Sequence, residues 1–173
     1  MNSYRIESLD TARHRREEFQ CESPELTEFL RTRARKEMQA RASACFVLVE
    51  ETDPGRIVGY YTLSQTSVAL DQLPAPFSKR LPRYPQLGAT LIGRLARDLA
   101  WKGKQAGRLL LIDALRRSLR NSAEVGSVVV VTDPKDEKAR AFYGSYGFRQ
   151  LDEDRLFLPM SELIEREASG WDA

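Results

Sequence analysis

One stretch, from Ala89 to Thr132, limits the possible folds more than any other. It begins as the strand-like segment ATLIGRLARD and turns through WKGKQAG. It continues as the amphipathic helix RLLLIDALRRSLR and ends in the wholly apolar run GSVVVVT. A short apolar run rich in Val predicts a strand covered on both faces. The helix supplies cover, since Leu110, Leu111, Ala114, Leu115 and Leu119 fall on one side of it. Strand, turn, helix and buried strand in this order imply an α/β fold.

The flanking sequence is consistent with that. YRIESL alternates as a short strand does, and SPELTEFLRTRARKEMQA reads as a helix with Ser23 as its cap and Pro24 in its first turn. ACFVLVE and RIVGYYTLSQ are strand-like, and the DPG at Asp53 to Gly55 is expected to be the turn of their hairpin. The four prolines of LPAPFSKRLPRYPQLG exclude helix interior and central strand, which leaves a long loop. DEKARAFYGSY predicts a helix, GFRQL and RLFLPM predict strands, and the C-terminal segment predicts a polar helix. No repeat or low-complexity linker interrupts the order, so residues 1–173 are expected to form one domain.

Composition narrows the chemistry. No apolar run approaches the roughly 18 residues of a spanning helix, and MNSYRIESLD lacks a signal peptide's apolar stretch, so a cytoplasmic, non-membrane protein is expected. Cys21 and Cys45 lie far apart with no Cys or His nearby, which reads as two buried thiols rather than a metal site. His14 is the only histidine and sits among charges, which argues against Ser-His-Asp and zinc mechanisms. Charge is unevenly spread. Lys79 to Arg120 holds eleven basic and two acidic residues, whereas Gln150 onward holds seven acidic and two basic. The middle of the chain is suited to polyanions and the tail is not.

The basic turn has chemistry of its own. A turn that opens a helix leaves backbone N–H groups without intrahelical partners, and the helix dipole adds positive potential there, so diphosphates bind such places. Gly103 and Gly107 permit close backbone approach, and Lys102, Lys104 and Arg108 add charge. An ordinary strand-to-helix connection with a solvated basic rim would carry the same residues. In ARAFYGSYGF, helical spacing sets Ala139, Phe142, Tyr143 and Tyr146 on adjoining faces, and Gly147 ends the helix. Such a stripe is usually core, and Phe142 fits that reading. The two tyrosine hydroxyls need partners if buried, so at least one is expected to face a site.

The strand, the turn, the helix, the apolar strand and the A-x-x-FY-x-x-x-GF ending together resemble the GNAT (N-acetyltransferase) superfamily. FQCESPELTEFL, GYYTLS, RLPRYP, IGRLARD and LFLPM are similar, more narrowly, to the acetyltransferase toxins of bacterial toxin-antitoxin pairs, which acetylate aminoacyl-tRNA. The resemblance implies one GNAT domain with a mixed, strongly twisted central sheet flanked by helices. It implies acetyl-CoA as cosubstrate and no metal. Lys102, Gly103, Lys104, Gln105, Ala106, Gly107 and Arg108 would hold the diphosphate. Leu95, Ala96 and Arg97 would pair with the pantetheine arm and offer an N–H to the thioester oxygen, with Asp136 and Phe142 also at the cofactor and Tyr143 as proton donor.

The diphosphate turn departs from the family pattern, because Gln105 stands at a usual glycine and Lys102 at a usual Gln or Arg. A positive φ at Gln105 would cost on the order of a kcal/mol, with weaker cofactor binding expected. Asp136 replaces a frequent asparagine. The IGRLARD strand lacks the glutamate base of many relatives; Asp98 is either a substitute base or a strand-end surface residue. A missing base suits an α-amine, with pKa near 8, better than a lysine near 10.4. Basic residues at 13, 15, 16, 31, 33, 35, 36, 41, 79, 80 and 83 would line an RNA groove or simply form solvated faces. The toxin likeness further implies a ribbon-helix-helix antitoxin and a homodimer. A GNAT enzyme for a small amine or protein amine, and a degenerate GNAT domain that only binds, are the competing readings.

Overall fold

The computed structural model describes residues 2–171, so Asp172 of the acidic tail lies outside the described residues, as do Met1 and Ala173. Seven strands form one mixed sheet in the order β1-β2-β3-β4-β5-β7-β6, as expected for an α/β fold. The strands are β1 Tyr4–Ser8, β2 Ala44–Glu50, β3 Asp53–Ala69, β4 Gln86–Arg97, β5 Val129–Thr132, β6 Arg149–Gln150 and β7 Leu156–Pro159. The chain divides into two compact units, Met1–Ser64 with Gly93–Ala114 and Gln65–Ile92 with Leu115–Ala173. No described helix is long and apolar enough to cross a membrane.

In the first unit β1 and β2 run antiparallel with Ile6 opposite Leu48, and β2 and β3 run antiparallel with Val47 opposite Tyr60. Glu50 pairs with Asp53, so the hairpin turns at Glu51 and Thr52, and the DPG expected as the turn begins β3 instead. Pro54 is tolerated there because the first residues of a strand need not donate to a ladder. The helix after Ser23 forms as α1 Pro24–Glu28 and α2 Ala34–Gln39, joined by a π turn over Phe29–Arg33. Ser23 Oγ accepts the Leu26 N–H at 3.2 Å, the capping that its position predicts. The Arg16 guanidinium donates to the Leu30 and Arg31 carbonyls that the π turn displaces. Phe19, Phe29, Leu30, Val47, Val49, Ile57 and Tyr60 close this unit's core.

In the second unit β4 and β5 run parallel from Ala89 opposite Val129 to Ile92 opposite Thr132, and β5 and β7 run antiparallel. All four β5 residues are buried, as the apolar run predicts. Helix α4 spans Glu137–Gly144 and α5 spans Met160–Ser169. Helix α3, Ala106–Ser122, begins in the first unit and continues in the second. The proline-rich segment folds as a loop with two short 3-10 turns, Leu70–Gln72 and Phe77–Arg80, seated on Val68, Leu73, Leu87, Val129, Val131 and Phe157 through Phe77 and Leu81.

Candidate active site

The basic turn after β4 is a built structure. Asp98 closes β4, and its carboxylate caps the 3-10 helix Leu99–Trp101 by accepting the Ala100 N–H at 2.9 Å. Lys102, at φ −58° and ψ 133°, and Gly103, at φ 77°, then make a type II turn, which the Lys104 N–H closes on the Trp101 carbonyl at 3.2 Å. Gln105 follows at φ 60°. Its carbonyl accepts the Leu109 N–H at 3.2 Å, which makes it the residue on which α3 starts. The N–H groups of Ala106 and Gly107 lie in the first turn of the helix and have no intrahelical carbonyl to reach. A Cβ at Gly103 would meet nothing within 4 Å, so the turn is open where a diphosphate would approach. These features fit the group that the sequence implies.

The positive φ that the sequence reading makes a condition is present at Gln105, at a cost of about 1 kcal/mol.

Beneath the turn lies a polar network that sequence reasoning missed. Asp98 is 3% exposed, with one carboxylate oxygen accepting the Gln20 N–H at 3.0 Å and facing Arg56 at 3.2 Å. Arg56 also lies over the Trp101 ring, 5.3 Å from its centroid, and the Trp101 indole N–H donates to Glu50 at 2.6 Å. Asp98 is thus not a surface residue; its carboxylate accepts from two backbone N–H groups and pairs with Arg56. Only contacts between distant segments reveal this. Among the other cations, Lys102 and Arg97 lie 3.7 and 3.4 Å from Glu22, exposed pairs that a phosphate can displace. Lys104 is exposed with no partner among the described residues.

Leu95, Ala96 and Arg97 form the end of β4. The ladder between β4 and β5 stops at Ile92 and Thr132, so these three residues run beyond it. Gly59 of β3 allows the close packing there, since a Cβ on it would fall 2.8 Å from the Ala96 carbonyl oxygen and 2.7 Å from Leu110.

Tyr143, on α4, is 6% exposed and packs edge-on against Phe142 and Phe148, each with centroids 5.3 Å away. Its hydroxyl hydrogen-bonds with the side chain of Thr132, the residue at which the β4–β5 ladder ends. Thr132 Oγ1 in turn donates to the Ile92 carbonyl at 3.0 Å. Burial pushes the phenol up to about 12, against the weaker downward effect of the Thr132 bond. The aromatic stripe is therefore core and hydroxyl site at once. Thr132 was legible only as the polar residue closing an apolar run. Phe142 is half-buried beside Tyr143 and Tyr146. Asp136 caps α4, accepting the Ala139 N–H at 2.8 Å.

Other expected groups are structural. His14 is buried, accepting the Asp10 N–H on Nδ1 at 2.9 Å and meeting Glu7 through Nε2 at 2.8 Å. Both cysteines are buried and free, and burial pushes the Cys45 thiol up to about 12. Of the proposed groove cations, Arg13, Arg15, Arg16, Arg31, Arg33 and Arg83 are engaged by carboxylates or carbonyls. Arg35, Lys36, Arg41, Lys79 and Arg80 are exposed without partners among the described residues.

Comparison with known proteins now bears on this geometry. The model of the acetyltransferase (GNAT) family matches residues 6–148. The chain belongs to this family. Among GNAT relatives it is 30% identical over 167 residues to the probable toxin TacT of Sinorhizobium fredii, covering 91% of this chain and 92% of that one. It is 31% identical over 140 residues to the tRNA-acetylating toxin of Mycobacterium tuberculosis, covering 81% of each. AtaT complexed with acetyl-methionyl-tRNAfMet superposes with a TM-score of 0.86 at 27% identity, over 94% of this chain and 98% of that one. AtaTR bound with acetyl-CoA superposes with a TM-score of 0.81 at 27% identity, over 94% and 96%. The likeness to toxins thus extends over 91% and 81% of this chain.

Proposed function

We propose that this GNAT enzyme is a toxin that moves the acetyl group of acetyl-CoA onto the α-amino group of an aminoacyl-tRNA and so blocks translation. One observation carries the chemistry: the Tyr143 hydroxyl hydrogen-bonds to Thr132, the last residue paired in the β4–β5 ladder. In this reading the residues from Leu95 to Arg97 hold the pantetheine arm by their backbone, and one of their N–H groups supports the thioester oxygen as it gains charge. The turn from Lys102 to Arg108 holds the diphosphate. Tyr143 keeps its proton until the C–S bond breaks and then gives it to the departing thiolate, and the proton lost by the newly acylated amine restores the phenol. A phenol near 12 and a thiol near 8.5 make that transfer uphill by roughly 5 kcal/mol, so close positioning matters more than acidity.

The acceptor follows from what the site lacks. Asp98 is committed to its donors and Glu22, beside the end of β4, is paired with Arg97 and Lys102, so β4 itself offers no free carboxylate base. At neutral pH about one in ten α-amines is already neutral, against fewer than about one in a thousand lysines. Relatives named as acting on tRNA support the same acceptor, and AtaT bound to the C-terminus of the antitoxin AtaR supports an antitoxin partner, of ribbon-helix-helix type in this reading. A cytoplasmic homodimer, one GNAT domain per chain, completes the proposal.

The test is acetyl transfer from labelled acetyl-CoA to charged tRNA, free polyamines and a lysine peptide in parallel. Charged tRNA is expected to be acetylated fastest. Faster transfer to polyamine or peptide would install the small-amine reading instead. Absence of acetyl-CoA binding at millimolar ligand would leave only a binding module.

A further inference from the structure

The proline-rich loop carries a feature that neither the cofactor site nor the proton donor uses. Tyr84 is 64% exposed, more than any other large apolar side chain described. It stands on an ordered support. The Leu70 N–H donates to the Pro85 carbonyl at 3.0 Å, closing the base of the loop. Arg83 is spent internally: its guanidinium donates to the Leu81 carbonyl at 2.9 Å and to the Ser78 carbonyl. That bridge ties Arg83, the residue before Tyr84, to the 3-10 turn Phe77–Arg80, whose Lys79 and Arg80 are exposed and without partners among the described residues. Phe77 and Leu81 anchor the turn in the core cluster, and Pro85 restricts the Tyr84 backbone to extended conformations.

An aromatic ring presented on a rigid loop next to two free cations is the arrangement that receives a single-stranded nucleic acid. An unpaired base stacks on the ring while backbone phosphates meet the charges. A duplex has no free base face to offer, and an apolar protein surface has no use for the cations. Resting on the tRNA reading above, we propose that Tyr84 is a stacking platform for an unpaired nucleotide of the RNA substrate, with Lys79 and Arg80 as its phosphate contacts and Arg83 as the brace of the loop.

The test uses the full chain and two labelled RNAs of one length, one single-stranded and one duplex, followed by fluorescence anisotropy, together with steady-state acetylation of charged tRNA. Tyr84→Ala is expected to weaken single-strand binding by about ten- to a hundredfold and to raise KM for charged tRNA in proportion, with duplex binding unchanged. Tyr84→Phe keeps the ring and is expected to stay within about twofold of the parent. Lys79→Ala with Arg80→Ala is expected to lower the slope of log affinity against log salt by roughly 1.4. An unchanged melting temperature confirms that Tyr84→Ala folds, as an exposed side chain allows.

If the parent acetylates charged tRNA and Tyr84→Ala does so with the same KM, the platform is wrong and the acceptor assignment stands. Equal loss of single-strand and duplex binding also overturns the platform. If the parent binds neither RNA and leaves charged tRNA unmodified, the acceptor assignment fails with it.

Discussion

Residues 98–105 and residues 132–148 are held by opposite chemistry. The turn is fixed by ions: Asp98 between Arg56 and two backbone donors, and Trp101 between the Arg56 guanidinium and the Glu50 carboxylate. The phenol is fixed by rings, with Phe142 and Phe148 edge-on to Tyr143 and a single hydroxyl bond to Thr132. The difference follows from the work proposed for each. A diphosphate is held by backbone donors whose positions must not drift, and short directional bonds fix positions. A proton donor must stay neutral until it is used, and apolar surroundings disfavour its anion.

The largest expected effect strikes the apolar region. Tyr143→Phe should lower kcat by about 10²–10⁴-fold, read in single-turnover acetyl transfer, with acetyl-CoA affinity little changed. A loss smaller than tenfold would remove the phenol from the mechanism. Because its pKa is raised to about 12, the protonated donor is present at all lower pH and is lost only as pH rises through that value. The rate should therefore climb as the acceptor amine deprotonates, with no descending limb from Tyr143 below about pH 10.

Breaking the ionic region comes next. Asp98→Ala leaves two N–H groups without their acceptor and Arg56 with Glu18 alone, and should cost about 2–4 kcal/mol of folding stability in denaturant titrations. A loss under about 1 kcal/mol would mean that the network does not hold the turn.

Glu50→Ala removes the acceptor of the Trp101 indole. It should raise KM for acetyl-CoA several-fold, on the order of 1–2 kcal/mol, while kcat holds. Glu50→Gln keeps an acceptor and should restore most of that loss, a recovery that a purely charge-based role would not give.

The smallest effect separates strain from binding. Gln105→Gly relieves a left-handed glutamine but adds chain entropy to the unfolded state, so stability should change by less than about 1 kcal/mol. Calorimetry should find acetyl-CoA affinity unchanged. A tenfold change would show instead that the turn reshapes when it binds.

Local patterning determined a good deal of this. The alternation and apolar runs that set β1, β2, β4 and β5, the Ser23 cap, the basic turn and the aromatic stripe of α4 are written in neighbouring residues. Hydrophobic period and capping chemistry act over a few positions. The hairpin turn was misplaced by two residues because strand register, through the Glu50 and Asp53 pair, outranked the turn preference of DPG.

Tertiary structure alone decided what the polar groups do. Asp98 gained its donors from Gln20 and Arg56, Trp101 its anchor from Glu50, and Tyr143 its partner from Thr132, all across gaps in sequence that no periodicity spans. A carboxylate or hydroxyl reads the same in sequence whether it meets water or a buried donor. Only the folded chain brings up the group that satisfies it, because burial, not residue type, makes that bond obligatory.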